Sequence, residues 1–337
     1  MRRLIPMLMV AAGCAKATSP TTVPAPDMPS AVPPVWQPLI GEYASSRDTV
    51  SILEDGGTLQ LYRWHGSRSA LRSTTDSTLD LAVNAGRVVV RRSPDRRTSA
   101  IVVGGVEFAR LALGPEGGAS FQIAPRRPVE ELRREALAAR PPVEAGDFLP
   151  TDLVELVRID LTIRLDIRYA GTNNFMSTPM YSSARAFLQR PAAEGVARAN
   201  QWLRTQGYGL LIHDGYRPWY VTKMFWEATP DAQRIFVADP SKGSRHNRGC
   251  AVDLTLFDLR TGQAVEMTGG YDEMSPRSFP DYPGGTTRQR WLRGLLRRAM
   301  EAQGFTVYEA EWWHFDYQDW NKYRIGTQTF EEIATKQ

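Results

Sequence analysis

Ser244-Arg-His246-Asn-Arg-Gly249-Cys250-Ala251-Val252-Asp253 is the stretch around which the second half of the chain is arranged, and it is answered further on by Glu311-Trp312-Trp313-His314. Two of the chain's four histidines lie in these segments. Along a strand alternate side chains share a face, so Gly249, Ala251 and Asp253 point the same way. The two small residues leave room above the sheet for His246, which must sit on the loop before the strand and bend back over Gly249. Glu311 and His314 are three apart, on one face of a helical turn but on opposite faces of a regular strand. Both reach one metal only if the chain turns or bulges at Trp312-Trp313. With His314 as third ligand, Glu311 lies beside the ion without binding it, where a carboxylate takes a proton from water. His246, Asp253 and His314 with an open position and a base are the parts of a hydrolytic zinc site. Taken singly, Asp253 reads as a surface carboxylate and His314 as a core residue. Two independent halves of one ligand set outweigh those readings. Cys250, inside the motif, reads as a small buried residue rather than a ligand.

Around this centre the pattern alternates strands and helices. Leu161 to Tyr169 alternates as a strand. Pro191 to Gln206 carries Val196, Ala199, Trp202 and Leu203 at helical spacing and stops at Gly207. Tyr208 to Ile212 is a strand leading into Asp214-Gly215-Tyr216-Arg217-Pro218, with Pro218 suited to the first turn of a helix over Trp219 to Ala228. Arg217 thus sits at a strand-to-helix junction, where scaffolds present functional side chains and where an arginine also simply pairs with an acid. Arg288 to Gln303 is an amphipathic helix, and Phe305 to Tyr308 a strand running into Glu311. These elements predict an α+β domain with a mostly antiparallel sheet and flanking helices over 148–330, with a parallel sheet left open by pattern alone.

Upstream, Trp36 to Ala124 is a series of short apolar runs separated by Asp55-Gly56-Gly57, Asn84-Ala85-Gly86, Gly104-Gly105 and Gly114 to Gly118. They are Thr49–Leu53, Thr58–Tyr62, Leu79–Val83, Arg87–Val90, Ala100–Val103, Val106–Leu111 and Ala119–Ile123. Such a series predicts a small all-β barrel or sandwich over 37–125. It holds no catalytic constellation, and its ligand is unknown. A helical connector, 126–147, joins it to the second domain. The segment 15–36, rich in Pro, Thr, Ser and Ala, reads as a disordered tether. Residues 1–14 read as an export signal, with a basic start, a short apolar run and Ala11-Ala12-Gly13-Cys14. That ending resembles the bacterial lipobox, which makes Cys14 the candidate lipidation site. It also predicts an exported protein held in the cell envelope by a lipid anchor alone. Cys14 and Cys250 are the only cysteines, so lipidation of Cys14 excludes a disulfide.

At 337 residues, 42% hydrophobic and 23% charged, the chain has material for two cored domains. The net charge of +4 is small and its basic residues are scattered or paired with acids, so no nucleic-acid partner is expected.

Ser-x-His-x-x-Gly-x-Ala-x-Asp followed by Glu-x-x-His resembles the signature of the metallopeptidases that cut D-alanine bonds in cell-wall peptides. Ser244, His246, Gly249, Ala251, Asp253, Glu311 and His314 match its fixed positions. Within that group the chain looks like the D-alanyl-D-alanine dipeptidases of the VanX type, on Arg168-Tyr169 with Asn173-Asn174-Phe175, on Asp214 to Pro218, and on Glu311-Trp-Trp-His314-Phe. The resemblance covers about 148–325 and implies one zinc ion on His246, Asp253 and His314, with Glu311 as general base. It further implies Arg217 on the oxyanion, Asp272 on the substrate ammonium and Ser244 in substrate binding, with Glu273 an alternative to Asp272. The implied substrate is D-Ala-D-Ala. A carboxypeptidase trimming longer cell-wall peptides and a non-catalytic wall-binding lipoprotein remain the alternatives.

Overall fold

A computed structural model describes residues 27–63, 66–75, 78–81, 86–111 and 121–335. Cys14, the export segment and most of the tether lie outside the described residues. The first unit is built from β1 (Gly41–Ala44), β2 (Thr49–Asp55), β3 (Thr58–Arg63), β4 (Arg68–Thr75), β5 (Thr78–Leu81), β6 (Arg87–Arg92), β7 (Thr98–Val103) and β8 (Val106–Arg110). Each pairs antiparallel with its neighbour, and β8 returns to β1 with Tyr43 opposite Arg110, so the sheet is a closed barrel. Alternation fills the interior with Val50 and Ile52, Leu59 and Leu61, Val88 and Val90, Ile101 and Val103. Gly56-Gly57 and Gly104-Gly105 have the positive φ that two-residue hairpins require.

The barrel differs from the sequence expectation at three places. β1 is too short to show a pattern, and β4 turns only Leu71 of its described side chains into the core. The expected run at Ala119–Ile123 forms no strand over 121–123, and its first two residues lie outside the described set.

The connector forms α1 (Val129–Ala138), whose Leu132 and Ala136 are buried in the core of the second unit. That unit continues with β9 (Leu153–Glu155), α2 (Leu156–Ile159), β10 (Arg164–Leu165), β11 (Phe187–Gln189), α3 (Arg190–Thr205), β12 (Tyr208–Asp214) and α4 (Trp219–Ala228). Then come β13 (Ala251–Asp258), α5 (Thr287–Glu301), β14 (Phe305–Tyr308), β15 (Glu311–Tyr317) and α6 (Phe330–Ala334). The main sheet runs β10-β12-β13-β15-β14; only the β10–β12 pair is parallel. β9 and β11 form a separate antiparallel pair.

The long predicted strand Leu161–Tyr169 is reduced to two residues. Asp160 accepts from the Thr162 N–H and hydroxyl at 2.9 and 2.7 Å, a local turn that takes the start of the run, and a 3-10 turn at Arg168–Ala170 takes its end. α3 buries Val196, Ala199 and Leu203, and α5 buries Leu292, Leu295, Leu296, Ala299 and Met300, both against the sheet core. Each of the leucine, valine and methionine side chains contributes about 1.5–3 kcal/mol by leaving water. A capping box of Thr286 and Gln289 starts α5. The central strands β12, β13 and β15 are thereby held rigidly, and their ends carry the site.

Candidate metal centre and active site

A 3-10 turn over His246–Arg248 precedes β13, and Gly249 leaves it with φ 68°. A Cβ there would stand 2.5 Å from Leu153 Cδ2, so both conformation and space call for glycine. The turn folds His246 back over the strand start, as the sequence required. Ser244 fixes it, its Oγ accepting from the His246 N–H at 3.1 Å while Asn247 Oδ1 accepts from the Ser244 N–H at 2.8 Å. Asp253 lies opposite His314 in the β13–β15 register. On β15 the partners of β14 jump from Phe315, opposite Val307, to Glu311, opposite Tyr308. That irregularity across Trp312-Trp313-His314 is the bulge that brings Glu311 and His314 to one side.

The three ligand atoms converge. His246 Nε2 stands 3.1 Å from His314 Nδ1 and 3.4 Å from Asp253 Oδ1, and His314 Nδ1 is 3.1 Å from Asp253 Oδ1. Among the described residues this is the group able to hold a metal ion, and all three members are buried. The far ring nitrogens settle the tautomers. His246 Nδ1 donates to the Gly215 carbonyl at 2.7 Å and His314 Nε2 to the Asp316 carboxylate at 2.9 Å. The two facing nitrogens of the neutral rings therefore present lone pairs to each other and to Asp253 Oδ1, which has no hydrogen-bond partner of standard geometry. Three buried acceptors crowded together call for a cation, and two nitrogens with one oxygen suit a borderline metal. Burial opposes a charged His314, but Asp316 and Asp253 hold its pKa well above the ordinary value. The same histidines hold Asp253 well below its usual range despite burial.

Glu311 places Oε2 3.7 Å from His314 Nδ1. Burial pushes its carboxyl up to about 8, with His314 opposing and Asp253 adding to the rise. Asp272 is raised well above the carboxylate range by burial and by Asp253 and Glu311. The cavity is thus an electronegative hollow, favourable to a dication and to an ammonium group. Tyr169 donates its hydroxyl to Asp272, with oxygens at 2.9 and 3.1 Å. Arg217 is buried over the rings of Tyr169 and Phe225, at 5.3 and 4.9 Å. Asp214 accepts from its Nε at 2.9 Å and stands 2.8 Å from Nη2, so the guanidinium is locked in place. Asp214 is itself satisfied by the Tyr181 hydroxyl and the Gly215 N–H.

His246, Asp253, His314, Glu311, Arg217, Asp272 and Ser244 all line one cavity of about 120 Å³, so the structure brings every predicted residue of the site together. Glu273 also borders it but is turned into its own loop, accepting from the Gly270 N–H and the Ser275 hydroxyl at 2.9 and 2.6 Å. Cys250 is a buried thiol outside the ligand group, pushed up to about 12 by burial. Sequence reasoning missed Asp316, two residues beyond His314, although strand alternation places it on the same face. It missed Tyr271, whose hydroxyl donates to Asp253 Oδ2 at 3.0 Å and which only the fold brings there. The acid with which Arg217 pairs is Asp214.

Fold and site together define a metallopeptidase. The model of the Peptidase_M15 family, D-ala-D-ala dipeptidase, matches residues 150–334. The chain belongs to this family. A D-alanyl-D-alanine dipeptidase of Escherichia coli K12 is 36% identical over 166 residues, 49% of this chain and 84% of the relative. One of Enterococcus faecium is 35% identical over 175 residues, 47% of this chain and 87% of the relative. A solved LD-carboxypeptidase structure aligns with 57% of this chain and 76% of its own at 18% identity and a TM-score of 0.28, a likeness too slight to carry an argument. The family match covers the second unit and begins after the barrel.

Proposed function

We propose that the chain hydrolyses D-alanyl-D-alanine to two D-alanines with one zinc ion held by His246, Asp253 and His314. The observation that carries this is the convergence of three buried acceptor atoms with the Glu311 carboxylate beside them, 3.7 Å from His314 Nδ1. Zinc, when bound, supplies Lewis acidity that lowers the pKa of water and polarises a carbonyl. Glu311 receives the proton of the attacking water on a carboxylate oxygen and passes it to the leaving amine as the C–N bond breaks and the C–O bond forms. Arg217, held by Asp214, faces the developing oxyanion; loss of one such donor costs about 3–4 kcal/mol of barrier. Asp272 and the Tyr169 hydroxyl take the substrate's free ammonium, and the Ser244 hydroxyl, which accepts only from a backbone N–H, has a proton left to donate to substrate.

A small cavity with a buried carboxylate at one end favours a dipeptide over an N-terminally extended peptide. Incubation with free D-Ala-D-Ala and with a pentapeptide ending in it, read by mass spectrometry, tests the choice. Cleavage of the longer peptide alone would establish the carboxypeptidase. Chelation is expected to abolish turnover and zinc to restore it. Glu311→Ala is expected to retain zinc and lose at least ~100-fold in kcat, and full activity in that variant would reject the mechanism. The reading includes export and lipid attachment at Cys14, supported by the basic start, apolar run and Ala-Ala-Gly-Cys of the sequence. Cys14→Ser is expected to release the protein from membranes, and unchanged membrane retention would reject the anchor.

A further inference from the structure

The barrel meets the peptidase unit at a particular place. The β2–β3 hairpin seats on the start of α5 and on the loop before it. Glu54 N–H donates to the Gly285 carbonyl at 3.0 Å, and the Glu54 carboxylate accepts from the Thr287 N–H at 2.8 Å and its hydroxyl at 3.1 Å. Gly56 N–H donates to Thr287 Oγ1 at 2.9 Å. Arg290 staples the contact. Its Nη2 donates to Glu54 O and Asp55 Oδ1 at 2.8 and 2.9 Å, while Nη1 donates to the carbonyls of Pro283, Gly284 and Gly285 at 3.1–3.3 Å. On β1, buried Glu42 lies 3.9 Å from Arg277, which in turn donates to Thr268 O at 3.1 Å and stands 3.3 Å from Glu273.

The two contacts thus fall on the C-terminal end of the loop 268–286 and on Arg277 at its middle, and that loop carries Asp272. Asp272 has φ 56°, a left-handed conformation that aspartate adopts more readily than most residues but still at a cost, so its surroundings help to hold it. The parts that hold it are next to it. Glu273 is tied by Gly270, Ser275 and Arg277, and its carbonyl accepts from the Ser278 hydroxyl. At Gly269 a Cβ would stand 2.7 Å from the Arg277 carbonyl oxygen, so the loop's two limbs cross at contact distance.

We propose that the barrel is a positioning element for the substrate loop: Glu54, Asp55 and Glu42 hold residues 268–290 so that Asp272 is presented to the ammonium end of the substrate. This rests on the dipeptidase reading and goes beyond it by giving the appended unit a part in substrate selection. Such a contact acts on binding more than on the chemical step, because the metal ligands and Glu311 stand on β13, β15 and the turn before β13, and the loop's hydrogen bond to them is that of the Tyr271 hydroxyl on Asp253 Oδ2.

The test uses the full-length zinc-loaded protein. Glu54→Ala and Glu42→Gln are compared with Arg91→Ala, an exposed barrel position, against free D-Ala-D-Ala and N-acetyl-D-Ala-D-Ala. Expected are a KM for the free dipeptide raised about tenfold with kcat within about twofold, narrowed discrimination against the acetylated dipeptide, and unchanged zinc content. Amide exchange at Gly270 and Glu273 should quicken, and Arg91→Ala should match wild type. Should Glu54→Ala fail to fold, Arg290→Lys at the same contact carries the same readouts. Wild-type KM, discrimination and exchange in both interface variants would overturn the proposal. Equal cleavage of free and acetylated dipeptide by the wild type would instead overturn the dipeptidase reading, which keeps the two failures distinct.

Discussion

The Nδ1 of His314 has two alternative occupants, a proton and a cation. Asp316 and Asp253 favour the proton in the metal-free chain even against the cost of burial. Zinc must displace it, so binding near pH 7 is expected to release about one proton per ion or more. An indicator dye in weakly buffered solution reads this, and zinc uptake with no release would contradict the assignment of His314 as ligand. Asp316 orients that imidazole through its 2.9 Å bond to Nε2 and raises its basicity. Asp316→Asn is expected to weaken zinc affinity about 10–100-fold while the fold persists, as measured by competition with a chelating dye. Unchanged affinity would mean that bulge and packing alone orient the ring.

At the scale of elements, two irregularities do the positioning. The 3-10 turn ending in left-handed Gly249 aims His246, and the β15 bulge turns Glu311 toward the face of His314. Gly249→Ala must put a Cβ against Leu153 while holding a conformation that costs an L-residue roughly 1–2 kcal/mol. The expected result is a loss of at least about 1–2 kcal/mol in urea unfolding together with weaker zinc binding, since the strain falls on the turn that carries a ligand. A stable variant with normal zinc affinity would show that the turn relaxes around the new methyl.

Across the whole molecule the charge balance of the cavity links pH, metal and stability. Glu311 rises from an ordinary 4.5 to about 8, and His314 and Asp272 are raised well above their usual values. Each is a group that the folded chain protonates more readily than the unfolded chain does. Its contribution to stability is full below the unfolded pKa and is lost as pH rises through the folded one. His213, lowered to about 4 by burial, changes state only below its ordinary 6.5 and does not act in this window. The metal-free protein is therefore expected to melt lower at pH 8.5 than at pH 7. Saturating zinc should shrink that difference by replacing the proton and attracting the carboxylates. Melting curves at the two pH values, with chelator and with zinc, decide the matter. A metal-free protein that melts higher at pH 8.5 would refute this account of the cavity.

The grouping of His246, Asp253 and His314 as candidate ligands, the need for a bulge and the main strands and helices around the site were legible in the sequence. Each depends on spacing along a few residues, and alternation or helical periodicity converts that spacing directly into a face. The first unit was legible as a small barrel or sandwich; the pairing of β1 with β8 makes it the barrel, and β1 has too few residues to carry a pattern. The expected strand Leu161–Tyr169 failed because Asp160 and Thr162 captured the backbone locally, a competition that alternation does not register. The partners of the site residues lay beyond reach for a related reason. Tyr271 on Asp253, Tyr169 on Asp272 and Glu54 on Thr287 join positions distant in the chain, and only packing brings them within hydrogen-bond length. The sequence by itself determined that His246, Asp253 and His314 belong to one centre with Glu311 beside it. Tertiary structure alone decided which atoms face each other, where the lone pairs point, and how the barrel leans on the loop that bears Asp272.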